Sequence, residues 1–333
     1  RGVYTLRLRM SHASGGAFGP FITRQIEVVQ DATPPTTPTV TDDGVYTQGT
    51  NSLHATWSAS SDPESGVVEY QYAIGTSPTD PGGGYLVGWT SAGTTRSVTR
   101  SGLTLVNGVT YYFYVMARDG AGMWSAAGAS NGITVVRAVS DISQLKAMGA
   151  GTGFILPARA VTAAAPGQFF LEDLNRSSAL KVNWTGTAPD TSKLATVAGV
   201  YRGIVANEPT ADALTVSAGS TGSVTAVGVN NRSIGWQGAG IPPYVGIDIR
   251  CILVKTWGKV TYQGDTFFLL DDGTGVADYK VLTAKMGIKV ALPSGASMPV
   301  LDKVLAVTGL SRASADGGRW IMPRLAGDIT PLN

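Results

Sequence analysis

Leu105-Val-Asn-Gly-Val-Thr-Tyr-Tyr-Phe-Tyr-Val-Met-Ala117 sets Tyr111, Phe113, Val115 and Ala117 on one face of an extended chain, at the period of two that marks a strand. Asn107-Gly108 just before it is turn chemistry, because both residues tolerate the backbone a tight reversal needs. Upstream, Leu53, Ala55 and Trp57 alternate in the same way, as do Tyr70, Tyr72 and Ile74. Asp62-Pro-Glu-Ser-Gly66 and Asp80-Pro-Gly-Gly-Gly84 punctuate these runs. Ahead of them, the three prolines of Asp31-Ala-Thr-Pro-Pro-Thr-Thr-Pro38 remove backbone donors and favour extended backbone, which predicts a short, stiff linker. About 100 residues of short strands between such turns read as a β-sandwich running from Pro34 to Val136.

The same stretch resembles a fibronectin type III domain. Trp57 stands where that family carries its core tryptophan, and Leu105, Gly108 and Tyr111 match its leucine, turn glycine and corner tyrosine. The resemblance implies that the Tyr111 ring packs inward while its hydroxyl bonds backbone near the preceding corner. Asp62 to Thr76 and Ala117-Arg-Asp-Gly-Ala-Gly-Met-Trp-Ser125 are similar to the variant common in secreted, multi-module bacterial proteins. A secreted or cell-surface location is what this implies.

With 333 residues, 43% hydrophobic, 14% charged and 43 glycines, the chain has a turn-rich globular composition rather than a disordered one. Two or three domains fit the length. Charge is mildly basic at both ends and acidic over 32–136, with no cluster of one sign, so electrostatic steering of nucleic acid gains little support. No apolar run reaches the length of a membrane span.

Residues 1–31 form a unit of their own. Tyr4, Leu6, Leu8 and Met10 alternate with polar residues, a Ser14-Gly-Gly16 turn follows, and Ile22, Ile26 and Val28 share a face of a second run. This predicts a hairpin, and Gly2 to Met10 lines up with Gly108 to Met116, as if these were the last two strands of a second, incomplete sandwich. A lone hairpin with an apolar face is marginal in water. The missing strands are expected from an upstream part of a longer polypeptide, from a neighbouring subunit by strand addition, or from docking on the central module.

Past Val136, Asp141, Gln144 and Gly149 frame a short helix from Ser140 to Met148. A repeat then spans the rest: Val161 to Asp173 pairs with Val260 to Asp272, and Thr196-Val-Ala-Gly199 with Ala306-Val-Thr-Gly309. The spacing is a domain length, and five strands in about 90 residues suit a small closed barrel. The two copies, 137–228 and 229–333, resemble the tandem OB-fold modules near the ends of long bacterial extracellular proteins, with Asn230 to Gly235 as the connecting segment. The expected fold is therefore all-β: a hairpin (1–31), an immunoglobulin-like fibronectin type III sandwich (32–136) and two OB-like barrels.

No His-Glu-x-x-His or phosphate loop is present. His12 and His54 are the two histidines, and His54 reads as a solvent-facing strand residue. Cys251, in the apolar run Ile249 to Val254, reads as a buried small hydrophobe. Gly149-Ala-Gly-Thr-Gly153 follows a helix and precedes a strand, the reverse of a dinucleotide loop. Glu172-Asp173 and Asp271-Asp272 read as turn residues. Asp62, Glu64 and Asp119 offer hard oxygen ligands suited to calcium, but without EF-hand spacing; the expectation is no metal and no cofactor. Trp89, Trp124 and Trp236, in expected loops, are surface candidates for stacking on sugars, whereas Trp257 reads as core. A non-catalytic structural or adhesive role is expected, with self-association or an upstream domain as partner. The alternatives are a carbohydrate-binding region of a secreted hydrolase and single-strand nucleic-acid binding by the barrels.

Overall fold

The computed structural model describes residues 2–10, 18–28, 31–80, 82–235, 248–276, 286–315 and 317–332, with backbone alone for Gly2, Val3, Glu27 and Val28. His12, the Ser14-Gly-Gly16 turn, Trp236 and the Val28 side chain lie outside the described residues. Almost every element is a strand. The chain divides into two compact units: 1–44, 52–102 and 111–133 in one, and 45–51, 103–110 and 134–333 in the other.

In the first unit, β1 (Gly2–Leu8) and β2 (Ile22–Val28) form an antiparallel hairpin of their own. The sandwich has two sheets. One pairs β3 (Val40–Asp42), β5 (Ser52–Trp57) and β8 (Ser97–Ser101) in the order β3-β5-β8. The other contains β6 (Val67–Gly75), β7 (Val87–Gly93), β9 (Thr110–Asp119) and β10 (Gly128–Ala129), with β6 between β7 and β9 and β10 on β9. Residues 46–47 of β4 (Tyr46–Thr47) and 134–135 of β11 (Ile133–Val135), which pair in parallel, belong to the second unit. The faces read from the sequence are the buried ones: Leu53, Ala55 and Trp57 from one sheet, and Tyr70, Tyr72, Ile74, Tyr111, Phe113, Val115 and Ala117 from the other. Trp57 and Tyr70 join them, ring centroids 6.1 Å apart.

The proline stretch is pinned to the sandwich, which corrects its reading as a linker. Pro35 and Pro38 are buried, and the amides that the prolines leave intact find partners: Thr36 N donates to Ser61 O (3.0 Å) and Thr39 N to Ser58 Oγ (2.9 Å).

The second unit holds two barrels of identical strand order. After β12 (Arg137–Ala138) and α1 (Ile142–Met148) come β13 (Gly153–Ala165), β14 (Gln168–Glu172), β15 (Ala179–Asn183), β16 (Lys193–Val205) and β17 (Glu208–Thr221). They run β13-β14-β15-β17-β16 and close through β13–β16, with β15 and β17 parallel. A short β18 (Val227–Gly228) and a 3-10 turn (Asn231–Ser233) lead to β19 (Leu253–Gln263), β20 (Phe267–Asp271), β21 (Ile288–Ala291), β22 (Val304–Ala313) and β23 (Arg319–Met322). These close by β19–β22 with β21 and β23 parallel, and β24 (Ile329–Pro331) is added on β22. Each barrel thus closes in the strand order 1-2-3-5-4-1. The repeated glycines have a reason: a Cβ on Gly199 would lie 2.4 Å from Asp212 O, and one on Gly309 2.6 Å from Met322 O. Strands four and five approach too closely there for any side chain.

The helix expectation holds: Asp141 Oδ1 accepts from Gln144 N (2.7 Å), while Gln144 reaches back to Ser140 N (2.6 Å). Asp173 and Asp272, paired in the repeat, act alike. Asp173 accepts from the first helical amide, Ile142 N (3.1 Å), and Asp272 from Asn231 N (2.6 Å), the first amide of the 3-10 turn. Each carboxylate holds the helical entry to its own barrel.

Candidate functional site

The hairpin register pairs Tyr4 with Ile26, Leu6 with Arg24 and Leu8 with Ile22, so the mainly apolar faces of both strands coincide, with Arg24 the one charged residue among these pairs. Thr5, Arg7, Thr23 and Gln25 form the opposite, polar face. Every described hairpin side chain is exposed, Tyr4 at 63% and Ile22 at 65%. Met10, Leu6, Leu8 and Ile26 are exposed with them, as are Phe18 and Phe21, beside which Arg9 stacks. Docking of this face on the central module is not what the structure has.

Three segments of the same unit converge elsewhere. Asp31, Asp62 and Asp119 each bring one carboxylate oxygen within 4.8 Å of the other two. The Asp62–Ser65 turn forms because Asp62 Oδ1 accepts from Glu64 N, Ser65 N and Gly66 N at 3.1, 2.7 and 3.0 Å. Asp119 Oδ1 likewise takes Ala121 N (2.9 Å) and Met123 N (2.8 Å). The Oδ2 atoms of Asp62 and Asp119 are buried and accept no hydrogen bond from the protein. Asp31 accepts from Thr33 N and from the Ser65 hydroxyl, and the latter holds its carboxyl below the usual range. Glu64, weighed with this group from the sequence, turns away to accept from Thr33 Oγ1 (2.6 Å); Asp31 stands in its place. Asp31 was missed because it lies in the proline stretch, and its contact depends on that stretch being pinned.

In the second unit, charged groups are buried where the barrels meet. Glu208 and Arg312 are 1% and 8% exposed and share two hydrogen bonds, with Lys181 Nζ 3.5 Å from Glu208. The Arg312 guanidinium lies 4.7 Å from the Phe170 centroid and 5.1 Å from that of Trp320. Such an arrangement neutralises Glu208 without water. Glu172 is fully buried, which corrects its reading as a turn residue. Its Oε2 accepts from Leu253 N (2.8 Å), its Oε1 accepts nothing, and burial pushes its carboxyl up to about 7. Cys251 is buried as expected, but in a turn before β19, and burial raises its thiol.

The loop 103–110, also in this unit, is bonded to the start of β13. Asn107 donates to Gly153 O (2.8 Å) and accepts from Gly153 N (2.9 Å). Gly108 has φ +81° and a Cβ there would stand 1.8 Å from Gly151 O, a close approach as well as a turn. Leu105 is buried beside it in sequence.

The aromatic candidates do not gather. Trp89 lies within β7 rather than a loop and packs edge-on to Tyr85, 5.9 Å between centroids. Trp124 is half-buried beneath Arg118, 5.8 Å from its ring. Trp257 is 56% exposed, which corrects its placement in the core: alternation along β19 turns it outward with Lys255 and Lys259. His54 bridges Asp43 (Nδ1, 2.7 Å) and Ser97 (Nε2, 3.3 Å). This has the connectivity of a serine triad, but Asp43 and His54 are 58% and 34% exposed on an open sheet face, unlike the water-excluded sites in which such groups react.

No helix among the described residues is long and apolar enough to cross a membrane. No protein-family model matches the chain, and no curated protein matches it. Among solved structures, a segment of titin aligns at 21% identity over 34% of this chain and 35% of its own, with a TM-score of 0.25. The chain thus spans about a third of that segment's length. A titin module from human cardiac muscle aligns at 20% identity over 31% of this chain and 92% of its own, TM-score 0.23. The FN1–FN3 domains of chicken CNTN1 align at 10% identity over 90% and 99%, TM-score 0.24. The architecture therefore rests on the chain's own strand order and cores.

Proposed function

We propose that this chain is a non-catalytic structural component of a cell surface or extracellular assembly, in which the β1–β2 hairpin completes a sheet of another β-domain. The observation that carries this reading is the hairpin's single apolar face, formed by both strands in register and left exposed. Two strands cannot sustain such a face alone, and the occupant it suits is a set of sandwich strands with an open edge and an apolar inner surface. The remaining sandwich and barrels then serve as a spacer. The test is the native particle mass, by light scattering and negative-stain microscopy, of protein with and without residues 1–30. Polymers that fall to monomers on removal place the complementary strands on a second copy. A chain that is monomeric and equally stable with or without the hairpin overturns the assembly reading.

A further inference from the structure

We propose that Asp31, Asp62 and Asp119 form a calcium site that ties the proline stretch to two turns of the sandwich. The three carboxylates come from positions far apart in sequence, yet one oxygen of each lies within 4.8 Å of the others. Local turn formation accounts for only half of the group. Asp62 and Asp119 each use Oδ1 for backbone amides, three in one case and two in the other, and these bonds fix the direction of the second oxygen. That second oxygen is buried in both residues and has no protein donor, although Asp119 as a whole is only 1% exposed. A buried carboxylate oxygen with no protein donor is suited to be a cation ligand.

Neighbouring cationic side chains do not fill that role. Arg118, adjacent to Asp119, is directed to Glu69 (3.6 Å) and lies against the Trp124 ring. Asp31 supplies the third carboxylate, held in place by hydrogen bonds from Thr33 N and the Ser65 hydroxyl. The donor set is oxygen alone, which disfavours zinc and copper. Carboxylates brought from three separate segments suit the flexible oxygen coordination of calcium better than the strict octahedron of magnesium.

The experiment uses the full chain, stripped with EDTA and dialysed, then titrated calorimetrically with CaCl2 or MgCl2 up to about 10 mM, the range in which extracellular calcium modules bind. One Ca²⁺ per chain and a melting point higher by a few degrees in 5 mM CaCl2 are expected. Asp119→Asn should weaken binding at least 100-fold and lose the calcium-dependent rise, while melting in EDTA no lower than the parent, because a buried charge has gone. Asp31→Asn, in an exposed stretch that does not endanger folding, should weaken binding at least tenfold. Identical melting of the parent chain in EDTA and CaCl2 with no heat of binding overturns the site. So does unchanged binding by both variants. An equal response to Mg²⁺ overturns the identity of the ion.

Discussion

Glu208 and Arg312 face each other across the two barrels as a two-bonded ion pair, with Arg312 Nη2 2.8 Å from Glu208 Oε2 and both residues nearly excluded from water. Removing Arg312 leaves Glu208 with the longer Lys181 contact alone, so Arg312→Met should cost about 3 kcal/mol. Adding Glu208→Gln to that variant should restore part of the loss, since the stranded group is then neutral. Urea denaturation midpoints of the two variants check this. A single variant within about 0.5 kcal/mol of the parent would show that water reaches the pair.

Glu172 makes stability depend on pH. Its carboxyl titrates at about 7 when folded, against 4.5 in an unfolded chain. Between those values the folded state retains a proton that the unfolded state has released, so stability declines as pH rises through that window, by about 3 kcal/mol in all. Glu172→Gln keeps an acceptor for Leu253 N and cannot ionise. It should match the parent near pH 4.5, exceed it in stability at pH 8, and flatten the profile between. A parent profile already flat from pH 4.5 to 7 would contradict the buried placement.

Gly108→Ala should destabilise the chain by about 3 kcal/mol, because the new Cβ meets a carbonyl oxygen in addition to the cost of a left-handed backbone. Gly102 separates the two effects. It has φ +75° and open space within 4 Å of where a methyl group would stand, so Gly102→Ala should cost only about 1 kcal/mol. Equal midpoints for the two variants in thermal melting would remove the close approach at Gly108.

Ser97 should be inert despite its contact with His54. A fluorophosphonate probe is expected to leave the native chain unlabelled, and Ser97→Ala should shift stability by less than about 0.5 kcal/mol, as for an exposed polar contact. Stoichiometric labelling that disappears in Ser97→Ala would require a catalytic reading instead.

Alternation of side chains carried most of the fold into view. The inward faces of β5, β6 and β9 and the shared face of the hairpin follow from a period of two, and the paired motifs at Val161 and Val260 disclose the two barrels. What escaped were contacts between segments whose spacing obeys no local rule. Asp31 meets Asp62 and Asp119 only because Pro35 and Pro38 are buried against the sandwich, and no residue pattern announces that. Glu172 sits beside Asp173, yet one is buried between barrels and the other holds a helix. Trp257 is apolar and lies in an apolar strand, yet its place between Lys255 and Lys259 in the alternation turns it outward.

The bonded pair of Asn107 and Gly153 bears on how such a chain can be inherited. A recombination event that exchanged residues 1–136 for a foreign sandwich would have to import a side-chain amide opposite Gly153 and a residue without Cβ opposite Gly151, or the graft would lose both bonds and gain a clash. The sequence boundary after Val136 is thus a poor place to cut and splice. Drift at Asn107 and Gly108 is coupled to drift at 151–153, and descendants of this arrangement should keep or lose the two sets together.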